Sequence, residues 1–119
     1  MKFPHENLEV WQLAMDFSER VYKATDGFPH SEKFGITSQV QRASVSIALN
    51  IAEGKGRYHP KEYKQFLYNA RGSLYETNTL ISLAKRLGYL KDKDYQESNE
   101  FSFQIMSKLS GLINYLQKN

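Results

Sequence analysis

The chain of 119 residues contains no cysteine. Without thiols, neither a disulfide framework nor a thiolate metal site can form, and this is compatible with a reducing compartment. The three histidines, His5, His30 and His59, lie far apart and share no metal-ligand spacing. The sequence therefore predicts neither a metal site nor a cofactor.

Long hydrophobic runs are also missing. The ten residues 43–52 carry no charge, but this stretch is far shorter than the roughly 20 apolar residues of a membrane span. The N-terminal segment MKFPHENLEV has a lysine but no apolar core, so it does not have the pattern of a secretory signal. We therefore expect a cytoplasmic protein without a membrane partner.

The residue patterns of common enzymes are absent. Ser44, Ser46 and Ser73 have no histidine partner that the sequence places near them. A di-iron bundle would require Glu-x-x-His pairs, yet Glu76 is followed at that spacing by Thr79. The segment GKGR lacks the spacing of a phosphate-binding P-loop. Glu53 and Glu76 are conceivable as an acid/base pair, but the predicted register puts them several turns apart. We expect a protein that is not an enzyme.

Helical periodicity dominates what is present, and no strand-like alternation competes with it. Asn7 is a candidate N-cap for the first helix, Pro60 suits the first turn of the third, Asp92 is a candidate cap for the fourth, and Gly88 suits the end of the third. The sequence predicts one domain over residues 1–119, an all-α antiparallel up-down-up-down four-helix bundle. Its helices are expected at about 8–25, 34–55, 60–87 and 92–117.

The second predicted helix has two apolar faces. Its main stripe is Ile36, Val40, Ala43, Ile47 and Ile51, and a polar row lies about 100° round the helix, formed by Gln39, Arg42, Ser46, Asn50 and Glu53. Beyond that row, Val45 and Leu49 are apolar again. A surface helix normally has a broad charged face, so the pattern favours a second packing partner, another copy of the chain. The alternative is that this helix is simply the most buried one of a monomer.

The polar row should continue onto the third helix. If helices 2 and 3 are antiparallel about a turn near Arg57, Arg42 lies opposite Ser73 and within reach of Glu76. A buried arginine needs an acceptor, so the sequence predicts a buried ion pair between Arg42 and Glu76. We interpret the row, with Ser73 and Glu76, as a device for helix register and partner selection.

A basic segment, KGRYHPKEYK, marks the turn between helices 2 and 3, and its charge continues along helix 3. Lysine and arginine supply phosphate contacts, and tyrosine can stack on an unpaired base. The net charge of +3 permits a nucleic-acid partner without requiring one. The alternative is a solvated face, since Glu62 dilutes the patch. The candidate RNA- or DNA-binding residues are Lys55, Arg57, Lys61, Lys64, Tyr68, Arg71 and Tyr75.

The blocks FPHSEKFGITSQVQRASVSIALNIAEGKGR and FLYNARGSLYETNTLISLAKRLGYL resemble the bacterial family of 23S rRNA intervening-sequence proteins. The matching positions are Phe28, Pro29, Glu32, Gly35, Gln39, Arg42, Ala43, Ser46, Ile47, Asn50, Ile51, Ala52, Glu53, Gly54, Ala70, Gly72, Ser73, Glu76, Gly88 and Tyr89.

This resemblance implies a four-helix bundle that assembles into a ring-shaped homo-oligomer, with a pentamer as the expected form. A related retroelement accessory protein forms a similar basic barrel and binds nucleic acid and a reverse transcriptase. The family has no established enzymatic activity. Two classes of function therefore stay open for this chain, a nucleic-acid-binding assembly and an adaptor that recruits a protein partner.

Overall fold

The computed structural model describes residues 2–118, and across that range the chain is helical without any strand. The long helices are α1 (Glu9–Thr25), α2 (Ile36–Lys55), α3 (Pro60–Arg86) and α4 (Asp92–Lys118). Two short 3₁₀ turns, Pro4–Asn7 and His30–Glu32, precede α1 and α2. None of the helices in the described range is long and apolar enough to cross a membrane.

Each helix packs against its neighbours in the chain, and α4 packs back on α1. Along α2 and α3 the contacts run in opposite directions, since Ser46 meets Ser73 while Gly54 meets Phe66. Helices α1 and α4 are also antiparallel. Arg20, late in α1, pairs with Glu97 near the start of α4, whereas Glu9 at the start of α1 pairs with Lys108 further along α4. The predicted all-α four-helix architecture is therefore confirmed.

The helix ends follow local chemistry, and two of the predicted caps are corrected. Asn7 closes the first 3₁₀ turn, and Leu8 rather than Asn7 occupies the N-cap position of α1. Asp92, proposed as a cap, is instead the first residue of α4. At the end of α3 Gly88 adopts a φ of 79°, the left-handed conformation that glycine accepts without strain. The amide of Tyr89 then donates to the carbonyl of Ala84 at 2.9 Å, which completes a Schellman motif.

The core lies along the central axis and draws on all four helices. The predicted apolar stripe of α2, from Ile36 to Ile51, is buried as expected. Phe17 of α1 is fully buried, and its ring stacks on that of Phe101 with the centroids 5.9 Å apart. The fully buried Leu67, Ile105 and Leu109 complete the centre. Burial of side chains of this size stabilises the fold by about 1.5–3 kcal/mol each.

Gly54 sets the distance between α2 and α3 near their turn. A Cβ atom at this position would lie 2.9 Å from Cβ of Phe66 and 3.0 Å from Cδ1 of Tyr63. Only a hydrogen fits there, so the two helices approach closely just before the chain reverses. This close contact fixes the start of α3, where the basic segment lies.

Replacing Gly54 with alanine should therefore destabilise the bundle, by the 1–3 kcal/mol that is typical of about one added methyl group in a packed site. Gly111 is the matched control, because a Cβ there meets nothing within 4 Å. Alanine at that exposed helical position should stabilise the protein by up to about 1 kcal/mol. Urea unfolding followed by circular dichroism measures both changes, and equal midpoints would contradict the close approach.

Candidate nucleic-acid interface

The basic residues gather at the end of the bundle where α2 turns into α3. Lys55 is the last residue of α2, and Gly56 caps that helix with its amide on the carbonyl of Ala52. Arg57 lies in the turn, and Pro60 opens α3, where its missing N–H leaves no helical bond unmade. The chain turns here because Gly56, which ends α2, and Pro60, which begins α3, are only four residues apart.

From the turn, the positive charge continues along one side of α3. Lys61, Lys64 and Arg71 follow one another at spacings of three and seven residues, so they share a stripe of the helix. Arg57 and Lys61 are exposed, whereas Lys64 and Arg71 are half-buried. The turn and α3 together carry all five cations of the sequence prediction, and we call this set the basic surface, formed by Lys55, Arg57, Lys61, Lys64 and Arg71.

Aromatic rings support three of these cations. The guanidinium of Arg57 lies 4.6 Å from the ring centre of Phe66, and that of Arg71 lies 4.9 Å from the ring of Tyr68. The ammonium of Lys55 lies 5.9 Å from the ring of Tyr63. A ring face attracts a cation without neutralising it, so these side chains keep their charge while losing part of their freedom.

Within the described residues, no acid forms an ion pair with a cation of the basic surface. The three ion pairs found in residues 2–118 use other cations, namely Arg20 with Glu97, Lys85 with Asp92 at 3.2 Å, and Lys108 with Glu9 at 3.0 Å. Glu62, which the sequence suggested would dilute the patch, is exposed and belongs to none of these pairs. The five cations are therefore available to phosphate groups.

The tyrosines differ in their availability. Tyr75 is 62 % exposed, so its ring is open to a stacking base. Tyr68 packs against the core, and its hydroxyl accepts a hydrogen bond from the amide of Gln117 at 3.1 Å, so it serves mainly as a platform for Arg71. Tyr58, which was not among the residues predicted from the sequence, is 92 % exposed beside Arg57. The signal in the sequence that could have identified it is its position in the turn between Arg57 and His59.

The polar row divides into a bonded part and an exposed part. The hydroxyls of Ser46 and Ser73 lie 2.9 Å apart, and the amide of Asn50 donates to the Ser46 carbonyl at 2.8 Å and to its hydroxyl at 3.1 Å. These three half-buried side chains join α2 to α3. The remaining members are exposed, and they are Gln39, Arg42, Glu53 and Glu76.

The buried Arg42–Glu76 ion pair that the sequence predicted is not formed within the chain. Both side chains are exposed, and neither belongs to an ion pair of residues 2–118. The predicted register placed Arg42 opposite Ser73, whereas Ser46 occupies that place, one helical turn away. Arg42 and Glu76 still stand near one level, but they point outward from the seam that the serines close.

Two of the three histidines, His5 and His59, make ring contacts. His5 packs edge-on against Trp11 with the ring centres 4.9 Å apart, and His59 contacts Tyr58 in the same way at 5.0 Å. Over residues 2–118, no group of three or more histidine, aspartate or glutamate side chains is arranged to hold a metal ion.

Tyr63 lies under the basic surface with its hydroxyl buried and without a hydrogen-bond partner. Burial raises the pKa of its phenol, so the side chain stays neutral to higher pH than an exposed tyrosine. A buried hydroxyl that makes no hydrogen bond destabilises the folded state relative to an apolar group of the same shape.

Replacing Tyr63 with phenylalanine should therefore stabilise the protein by about 1 kcal/mol, because the unpaired hydroxyl is removed and the ring that supports Lys55 is kept. The matched control is Tyr68→Phe, which loses the hydrogen bond from Gln117 and should be neutral or slightly destabilising. Thermal unfolding of the two variants beside the wild type provides the measurement. A loss of stability in Tyr63→Phe larger than that in Tyr68→Phe would show that its hydroxyl has a partner.

Comparisons with known proteins place this arrangement in a family. The model of the 23S rRNA-intervening sequence protein family matches residues 6–111. The crystal structure of a protein of unknown function from the S23 ribosomal protein family of Bacteroides thetaiotaomicron is similar, with a TM-score of 0.78 and 24 % identity. That similarity covers 87 % of this chain and 97 % of the other, and it shows a common fold. A search of the curated proteins finds no match. Because the family model matches residues 6–111, which is most of the chain, the chain belongs to the 23S rRNA-intervening sequence protein family.

Proposed function

We propose that this protein is a homo-oligomer without enzymatic activity that binds RNA or DNA in the cytoplasm through the basic surface, with little sequence specificity. The observation that carries the proposal is the set of five cations, Lys55, Arg57, Lys61, Lys64 and Arg71, none of which an acid of the described chain neutralises. Tyr58 and Tyr75 add exposed rings on which bases can stack.

The low specificity follows from the kind of groups on the surface. Cations bind phosphate, which is the same at every nucleotide, and stacking accepts any base. The basic surface itself contains no asparagine or glutamine, the side chains that read adenine edges, so it has little means of distinguishing sequences.

Assembly is proposed from an apolar groove between α1 and α2. Leu49 is 57 % exposed, and Met15 and Tyr22 are 41 % and 48 % exposed on the facing helix. With Trp11, Val45 and Ala52 these residues line a groove of about 850 Å³. Large exposed apolar grooves mark interaction sites, and we propose a second copy of the chain as the occupant, in a closed ring whose expected number of five comes from the family resemblance.

A ring would also make the proposed binding stronger. The basic surface of one chain supplies only a few phosphate contacts, each of them weak. Repeating that surface around an axis lets one nucleic acid engage several copies, so that the total affinity rises without any new type of contact.

Changing Lys55, Arg57, Lys61 and Lys64 together to glutamine should weaken binding to all sequences alike. Each phosphate contact that is lost should also reduce the dependence of affinity on salt, by about 0.7–0.9 log units per log unit of salt. Fluorescence anisotropy with labelled single-stranded RNA, single-stranded DNA and duplex DNA between about 50 and 200 mM salt measures both effects.

The matched control changes Lys33, Arg86, Lys91 and Lys93 to glutamine. It removes the same charge from exposed positions at the opposite end of the bundle. This variant should bind nearly as tightly as the wild type. Equal weakening in both quadruple variants would mean that net charge alone drives binding and that the basic surface is not the site.

Leu49→Lys should weaken assembly, because it places a charge in the centre of the apolar groove. Phe103→Lys is the control, since Phe103 is 75 % exposed on α4, away from the groove. Light scattering during size exclusion should give a multiple of the 13.8 kDa chain mass for the wild type and the control, and a smaller mass for Leu49→Lys. A wild-type mass of 13.8 kDa at every concentration would rule out the assembly.

The second candidate function is an adaptor that recruits another protein, which the exposed apolar side chains favour. It predicts a partner that co-purifies independently of nuclease treatment and moderate salt. If the wild type shows no retention on RNA or DNA even at about 50 mM salt, where phosphate contacts are strong, the adaptor function replaces nucleic-acid binding.

A further inference from the structure

Two opposite charges on neighbouring helices lack a partner in the described chain. Arg42 on α2 and Glu76 on α3 are both exposed and belong to no ion pair within residues 2–118. They flank the seam that Ser46 and Ser73 close. Arg42 also directly precedes the uncharged residues 43–52 of α2, which include Leu49.

The two charges stand at the same height along the bundle. Ser46 and Ser73 face each other, and one turn from them, toward the start of α2 and the end of α3, lie Arg42 and Glu76. In a ring whose axis runs along the bundles, neighbouring copies are related by rotation alone, so equal heights meet at every contact. Arg42 of one copy therefore reaches the level of Glu76 on the next.

The arrangement of the helices favours α3 as the facing helix. α2 and α3 are adjacent corners of the bundle, so their outer surfaces diverge by about 90°, which suits a small closed ring. α4 lies diagonal to α2, and a contact between diagonal corners would extend as an open chain instead of closing. The hydrogen bond between Gln41 and Thr25 shows which part of α1 lies at the height of Arg42. Both Lys23 and Asp26 lie there, so α1 offers no single sign of charge to Arg42.

We propose that Arg42 of one copy forms an ion pair with Glu76 of the next copy, so that α2 packs on the outer surface of the neighbouring α3. This inference rests on the assembly proposed above and specifies its contact. The pair that the sequence indicated is thus made between chains instead of within one.

An apolar contact accompanies the ion pair. Leu49 lies two turns beyond Arg42 on the same side of α2, and Gly72 lies one turn before Glu76 on α3. A Cβ at Gly72 would meet nothing within 4 Å, so the backbone of α3 is uncovered there. The exposed leucine of one copy therefore lies within about one helical turn of the level of the open glycine of the next, on the same side of the ion pair.

The test compares charge reversals by sedimentation velocity. Arg42→Glu and Glu76→Arg each place like charges at the contact, and each should reduce the association constant by about tenfold or more. The double variant should assemble as the wild type does. Circular dichroism should show unchanged helicity in every variant, and a loss of helicity in either single variant would overturn the proposal, because it would show that the residue is needed within the chain.

Mixing the two single variants distinguishes a pair between chains from one within a chain. In the mixture the glutamate introduced at position 42 meets the arginine introduced at position 76, and at the next contact the native Arg42 meets the native Glu76. Assembly should therefore return, apart from one mismatched junction in an odd-numbered ring. A pair within the chain would be restored in the double variant but not in the mixture, and that result would overturn the proposal.

Glu100→Arg supplies the control on α4, because Asn99 bonds Asn78 and so places Glu100 near the same level. It should neither disturb assembly nor restore it when mixed with Arg42→Glu; restoration would assign the contact to α4 and overturn the proposal. If the wild type is a monomer, the proposed assembly fails and this contact with it. If the wild type assembles and both single variants assemble equally well, only the Arg42–Glu76 contact is wrong.

Discussion

The close packing of α2 on α3 is the constraint on which the rest of the molecule depends. Gly54 permits it near the turn, and the hydroxyl bond between Ser46 and Ser73 fixes its register in the middle of the two helices. Together they determine which side chains are covered and which are turned outward. The basic surface and the outward-pointing Arg42 and Glu76 are both consequences of this single helix pair.

The sequence was sufficient to predict the helices, because proline, glycine and apolar periodicity act locally. The core of α2 followed from the spacing of its apolar residues, and the end of α3 followed from Gly88. Asn7 was misassigned because it is the last residue of a 3₁₀ turn that precedes α1, and so short a turn has no hydrophobic periodicity by which the sequence would show it. Local patterns thus give element types more reliably than element ends.

The candidate site was predictable in composition but not in accessibility. Lys55, Arg57 and Lys61 are identified by charge alone, whereas the contrast between Tyr58 and Tyr68 depends on how deeply each ring packs. To predict which residue of α3 lies opposite Arg42, the register of α2 against α3 must be known to within one helical turn. The sequence does not fix the path of the connection between the two helices, so it cannot give that register. An error of one turn was enough to replace the observed serine contact with a buried ion pair.

The sequential packing of the helices also bears on how the chain folds. Because every helix contacts its immediate neighbours, most contacts join residues that are close in sequence, and the closure of α4 on α1 joins the helices that are farthest apart in the chain. Chains with low contact order fold in microseconds to milliseconds, since little loop entropy is lost before native contacts form. The α2–α3 hairpin, with its four-residue connection, is the natural nucleus, and the docking of α1 with α4 is expected to follow it.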